Sequence, residues 1–182
     1  MQDILIQRHS SREVVQVFDE LVNTYTEVYS VPPYKGDPFF STETYATRLR
    51  GALSMEGFET VTAKIGSDLV GYVHGVTLSP EQAWWVSLGN ARSLQAQEAA
   101  SAQSIFWLRE LMVRPSFSNR GIGRHLHDMM ISGRGEPWTT LTCIIDNEPA
   151  HGAYLRWGYQ TIGRIKHAPE SPLYDAMLLL PP

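Results

Sequence analysis

The spacing of apolar residues changes several times along the chain, and each change marks an element. Ile4 to Gln7 reads as a short opening strand. Ser10 precedes Glu13 by three residues, the spacing of a capping box that starts a helix. Val14, Val17, Phe18, Leu21, Val22, Tyr25 and Val28 follow at helical spacing and predict a first helix with one apolar face. It must end before Val31-Pro-Pro-Tyr-Lys-Gly-Asp-Pro38, where prolines and a glycine impose a loop. Ser41 or Thr42 can cap a second helix reaching about Met55, with Tyr45, Leu49 and Ala52 on its buried side.

Phe58 to Ile65 and Leu69 to Leu78 read as strands joined by a turn at Gly66-Ser67-Asp68. Pro80 to Gln103 carries no clear period; it holds Trp84-Trp85 and an Ala- and Gln-rich stretch suited to one short helix. Ser104 to Val113 is the next strand. A loop stopped by Pro115 then leads into a helix over Ile122 to Ser132, with Ile122, Leu126, Met129 and Met130 on one face. Thr139 to Ile145 predicts a β-branched strand. Asn147 can cap a helix over Glu148 to Trp157, and Gly158 can end it. Tyr159 to Ile165 and Tyr174 to Leu180 predict two closing strands. The order β-α-α-β-β-β-α-β-α-β-β implies an α/β (α+β) fold, a mixed central sheet flanked by helices. With 182 residues and no repeat or linker, one domain over residues 1–182 is expected.

Composition narrows the function classes. A net charge of -4 gives no general electrostatic reason to bind nucleic acid or an anionic membrane. The single Cys143 excludes an internal disulfide. The N-terminus lacks a signal-peptide pattern, and no stretch approaches the roughly 20 apolar residues of a membrane helix. A cytoplasmic protein, with neither nucleic acid nor membrane as partner, is the expectation. The oligomeric state, monomer or homodimer, is left open.

Three places could carry chemistry. The first is the glycine loop Ser118-Asn-Arg-Gly121-Ile-Gly123 after the strand Ser104 to Val113. Unpaired amides at a helix start attract phosphate, and glycines let the backbone approach it closely. The loop lacks the third glycine of a dinucleotide fingerprint and the Gly-Lys-Ser/Thr of a Walker loop. Two glycines opening a helix can equally be plain turn residues. The second is Glu110. Alternation puts Arg109, Leu111 and Val113 on one face of its strand, and Leu108, Glu110 and Met112 on the other. A carboxylate there is either a salt-bridge partner or a general base whose pKa desolvation raises. The third is Asn147-Glu-Pro-Ala150 followed by Tyr154 and Gly158-Tyr159, which also reads as a capped helix with a core tyrosine. His125 and His127 are two apart on a helix and make a poor metal pair, so no metal site is expected.

Taken in this order, these motifs resemble the GNAT superfamily of acyl-coenzyme-A-dependent N-acetyltransferases. That family has a strand, a loop of form Gln/Arg-x-x-Gly-x-Gly/Ala and a helix receiving the coenzyme pyrophosphate. Here Val113-Arg-Pro115 and Ser118-Asn-Arg-Gly121-Ile-Gly123 stand in those places. Its later pattern, Asn-x-x-Ala and then Tyr before x-x-x-Gly-aromatic, is met by Asn147, Ala150, Tyr154, Gly158 and Tyr159. Ser118 replaces the usual Gln/Arg, and Asn119 the usual glycine after it.

The resemblance implies a mostly antiparallel sheet, acetyl-CoA as cosubstrate, and direct acetyl transfer to a primary amine. Glu110 would act as base and Tyr154 as the acid protonating the departing thiolate. Leu111, Met112 and Val113 would orient the pantetheine arm. Ser118, Asn119, Arg120, Gly121, Ile122, Gly123 and Arg124 would hold the pyrophosphate, and Asn147 would position the coenzyme or cap its helix. Tyr29, Tyr34, Phe39, His74 and Trp84 are candidates to contact the acceptor, expected to be a small-molecule amine. A non-catalytic acyl-CoA-binding module and a protein or peptide N-acetyltransferase are the alternatives.

Overall fold

The computed structural model describes residues 3–182. Seven strands, Ile4–Ser10 (β1), Glu59–Ile65 (β2), Asp68–Thr77 (β3), Ile105–Val113 (β4), Trp138–Ile144 (β5), Gln160–Ile165 (β6) and Tyr174–Leu179 (β7), form one sheet in the order β1-β2-β3-β4-β5-β7-β6. The β1–β2, β2–β3, β5–β7 and β6–β7 pairs are antiparallel, whereas β4 and β5 run parallel. The helices are Phe18–Tyr29 (α1), Thr42–Ala52 (α2), Ala83–Ser87 (α3), Leu94–Ser101 (α4), Ile122–Ser132 (α5) and Glu148–Arg156 (α6). None is long and apolar enough to cross a membrane among the described residues. The chain divides into two compact units, residues up to Val76 with Arg109–Gly133, and Thr77–Leu108 with Arg134–Pro182.

In the first unit, Leu69 to Val76 of β3 are buried without interruption, the pattern of a strand covered on both faces. Gly71 has a steric reason here: an added Cβ would sit 2.8 Å from the Met112 carbonyl oxygen. β1 is mostly exposed, and Arg8 on it pairs with Glu59 at 2.9 Å. The capping box forms, with Glu13 Oε2 accepting from both Ser10 N and Ser10 Oγ at 2.8 Å. It opens a 3-10 turn over Glu13–Gln16, and the α-helix starts only at Phe18. Ser41 caps α2 by accepting from Thr44 N at 3.2 Å. On α5 the buried residues are Ile122, Leu126, His127 and Met130, while Met129 is 38% exposed. The buried stripe is therefore centred nearer Leu126 and Met130 than the apolar pattern predicts, and a histidine takes its edge.

In the second unit, Pro80 to Gln103 holds two short helices, α3 and α4, where one was expected. Burial decides α3: Trp84 and Trp85 are 2% and 0% exposed, with the Trp84 ring 5.5 Å from that of Trp107. Arg134 and Glu136 form an ion pair at 2.5 Å, Thr77 donates to the same carboxylate at 2.7 Å, and the guanidinium lies 4.6 Å from the Phe106 ring centre. The β4–β5 ladder spans Ile105–Trp107 against Trp138–Thr140.

Candidate active site

In the first unit, three elements converge on Glu110. Tyr25 comes from α1, Tyr45 and Arg48 from α2, and Tyr72 and His74 from β3, where they are two apart and so share a face. The Tyr45 hydroxyl lies 2.6 Å from that of Tyr72 and 3.3 Å from His74 Nε2. The Tyr25 and Tyr45 rings stack at 3.8 Å with an interplanar angle of 1°. Arg48 donates to the Phe39 carbonyl at 3.0 Å and to the Tyr25 hydroxyl at 3.3 Å.

Electrostatics tie this group together. Glu110 keeps some accessible surface, but burial of its carboxyl raises its pKa, against the opposing pull of Arg48 and Arg109. The Glu110 charge in turn adds to the burial that raises the pKa of Tyr25, Tyr45 and Tyr72. Those three hydroxyls therefore stay protonated. His74 is pushed down to about 3 by burial first and then by Arg109 and Arg48, so its imidazole is neutral. Arg109 and Glu110, on opposite faces by simple alternation, both act on Tyr45. Hydrogen bonding along β4 shows why alternation is too simple. Ile105 O accepts from Leu78 N, and Arg114 N donates to Val70 O. Both bonds point toward the β3 side, yet the two residues are an odd number of positions apart, so one residue between them is out of step.

β4 leads into the glycine loop. Because Arg114 N points toward Val70, the adjacent Val113 amide points to the opposite edge of the strand. After a 3-10 turn over Pro115–Phe117, Asn119 and Gly121 take left-handed conformations, φ +60° and +78°. Gly121 is the N-cap of α5 and no side chain among the described residues caps this helix, so its first amides stand at the positive end of the dipole. Arg120 donates to the Ser116 carbonyl at 3.0 Å and lies 5.0 Å from the Phe117 ring centre. Arg124 pairs with Asp128 at 2.7 Å. Ser118, Asn119 and Arg120 are exposed. This cradle suits an anionic phosphate ligand, supplied by backbone donors rather than by a Gln or Arg at position 118.

Beside the tyrosines, the loop between α1 and α2 forms a pocket of about 220 Å³ that is open to solvent. Tyr29, Tyr34 and Phe40 line it, with ring centroids 4.9–5.3 Å apart. Thr26, Asp37 and Thr42 contribute polar edges. Of the acceptor candidates, Tyr29 and Tyr34 line this cavity, Phe39 sits 5.0 Å from the Arg48 guanidinium, and His74 belongs to the tyrosine cluster. Trp84 is buried in the second unit against Trp85 and Trp107. Sequence reasoning missed Tyr25, Arg48 and Tyr72 as site residues and read Tyr45 as plain core. The available signal was that buried tyrosines need partners for their hydroxyls.

In the second unit, Asn147 accepts from Ala150 N at 3.4 Å and caps α6. Tyr154 is 9% exposed, with its ring edge-on to those of Trp157 and Tyr159. Cys143 is buried and its thiol is raised to about 12 by burial and then Asp175, so it is not a nucleophile.

Among curated proteins, none matches the chain by sequence. Solved structures share its fold at low identity. The PaiA N-acetyltransferase from Thermoplasma acidophilum, solved with coenzyme A, superposes with a TM-score of 0.63 at 13% identity over 98% of this chain and 99% of that one. An aminoglycoside 6'-acetyltransferase type Ii gives 0.63 at 18% identity, with 97% and 96% covered. The ribosomal-protein-S18-alanine N-acetyltransferase from Escherichia coli gives 0.62 at 13% identity, with 97% and 93% covered. The sequence profile of the acetyltransferase (GNAT) family matches residues 16–159, and the chain belongs to that family.

Proposed function

We propose that the protein transfers the acetyl group of acetyl-CoA directly to a primary amine of a small molecule. One observation carries the reading: β4 presents Glu110, a carboxyl made less acidic by burial, and then runs into the uncapped helix start at Gly121. A proton acceptor and a phosphate cradle thus lie on one continuous segment.

An amine substrate is mostly ammonium at neutral pH and must lose a proton before attacking a thioester. An ordinary carboxylate is a poor acceptor there, and the raised pKa of Glu110 narrows the mismatch. Main-chain groups at Leu111, Met112 and Val113 orient the pantetheine arm and polarise the thioester carbonyl; the outward Val113 amide supports this. Amides from Ser118 to Arg124 hold the pyrophosphate. Tyr154, at the family position of the acid, protonates the leaving thiolate. The cap made by Asn147 favours a role in building α6 over a contact with coenzyme. Tyr29 and Tyr34 contact the acceptor, and the small volume of their cavity favours a compact amine over a folded protein.

Free-thiol release from acetyl-CoA across an amine library tests the reading. Release with one class of small amine is expected. Release with peptides alone would mark a protein acetyltransferase, as the ribosomal-protein enzyme's name describes for itself. Thermal stabilisation by coenzyme A with no release from any acceptor would mark an acyl-CoA-binding module.

A further inference from the structure

Thr60 on β2 and His74 on β3 are directly opposed in the antiparallel ladder. Their side chains therefore leave one face of the sheet with Cβ atoms about 4.5–5.5 Å apart. Thr60 is 0% and His74 2% exposed. Thr60 Oγ1 and His74 Nδ1 are buried with no hydrogen-bonding partner among the described residues. His9, opposite Thr60 on β1, already has its Nε2 at 3.0 Å from Thr62 Oγ1. The Phe58 ring lies 5.7 Å from the imidazole, so that side is apolar. Two buried polar atoms on directly opposed residues each need a partner, and a buried water with two or more hydrogen bonds is the usual one.

We propose that one buried water bridges Thr60 Oγ1 and His74 Nδ1, accepting from Nδ1–H, and that this bond fixes the direction of the hydrogen-bond chain running from His74 through Tyr45 to Tyr72 beside Glu110. Thr60 and His74 are then positioning residues. The charged and titratable groups around His74 are Tyr45 and Arg48 from α2, Tyr72 on its own strand and Arg109 from β4. Burial, and after it Arg109 and Arg48, keeps the ring neutral, so it carries a single proton on one of its two nitrogens. A water accepting from Nδ1–H places the proton there and leaves Nε2 to accept from the Tyr45 hydroxyl at 3.3 Å. Tyr45 then accepts from the Tyr72 hydroxyl at 2.6 Å. Without the water an Nδ1–H would be a buried donor with no acceptor, which costs more than an unfilled lone pair, so the proton moves to Nε2, which donates to Tyr45 and reverses the chain.

The effect on turnover rests on the acetyl-transfer reading; the water and the tautomer do not. The test uses the full chain with ¹⁵N-labelled histidine. Nδ1–H is expected for His74 in the parent and in Thr60→Ser, and Nε2–H in Thr60→Val. A high-resolution crystal structure should show a water within about 3.2 Å of both atoms. Turnover in Thr60→Val should fall about 5- to 20-fold, with the KM for acetyl-CoA unchanged and Thr60→Ser restoring most of the loss. Nε2–H in the parent, or no water between the two atoms, overturns the proposal even if the valine variant fails to fold. A flipped tautomer with unaltered turnover removes the positioning role. A flipped tautomer in a protein that acetylates nothing upholds the water and sinks the acetyl-transfer reading instead.

Discussion

The Tyr45 and Tyr72 hydroxyls approach to 2.6 Å, and neither side chain has appreciable solvent exposure. A hydrogen bond this short between buried phenols joins α2 to β3 beneath Glu110. Tyr45→Phe takes this partner from the Tyr72 hydroxyl, and Tyr72→Phe leaves the Tyr45 hydroxyl with only the longer 3.3 Å contact to His74 Nε2, so each change should destabilise by about 1–3 kcal/mol. The double variant should cost clearly less than the sum of the two, with a coupling of about 0.5–3 kcal/mol in urea denaturation. Strict additivity would mean that the two hydroxyls are satisfied independently.

Glu110→Gln tests the base. The folded-state pKa of Glu110 lies above its unfolded value, so the folded protein holds the extra proton. Ionising Glu110 therefore costs stability as pH rises from the ordinary carboxylate range through the raised value. The glutamine variant lacks this loss, so its urea midpoint should fall less than the parent's over that window. The acidic limb of the pH–rate profile, set by a group titrating above the usual carboxylate range, should disappear with it. A limb left in place would assign the base elsewhere.

Tyr154→Phe should keep the thermal stabilisation by coenzyme A while lowering turnover by about 10- to 1000-fold. The ring contacts with Trp157 and Tyr159 survive the change. Equal turnover at neutral and alkaline pH would take Tyr154 out of the proton-donating role.

The order of strands and most helices could be read from periodicity, because amphipathic faces repeat locally. Asn147 as the cap of α6 and Gly121 as the residue opening α5 were legible for the same reason: helix ends are decided by their immediate neighbours. The tyrosine cluster was not. Tyr25 and Tyr45 sit at apolar positions of their helices, and nothing local shows that the Tyr45 hydroxyl meets Tyr72 and His74, 27 and 29 residues away. Pro80 to Gln103 failed differently. The paired tryptophans make α3 a product of burial, and five residues are too few for a period to show. At β4, one residue out of step between Ile105 and Arg114 is enough to break strict alternation along the strand.

The two loop glycines should separate folding from coenzyme binding. Gly121 has φ +78° and open space around a would-be Cβ, so the cost of alanine there is conformational, about 1–2 kcal/mol. That corresponds to a fall in Tm of roughly 2–8 °C for a chain of this size. Gly123 is helical, and its Cβ would meet only Val113 Cγ2, at an ordinary 3.7 Å. Alanine there should raise the Tm of the free protein, since glycine inside a helix costs about 0.5–1 kcal/mol relative to alanine. The family loop takes Gly or Ala at this place, so a methyl group here leaves a pyrophosphate room against the first turn. Gly123→Ala should then be more stable without ligand and gain as much from coenzyme A as the parent does. Gly121→Asn, which tolerates the left-handed region, should recover part of the loss seen in Gly121→Ala. A Gly123→Ala variant with clearly weakened coenzyme affinity in a calorimetric titration would mean that this turn does not meet the pyrophosphate as the family loop does.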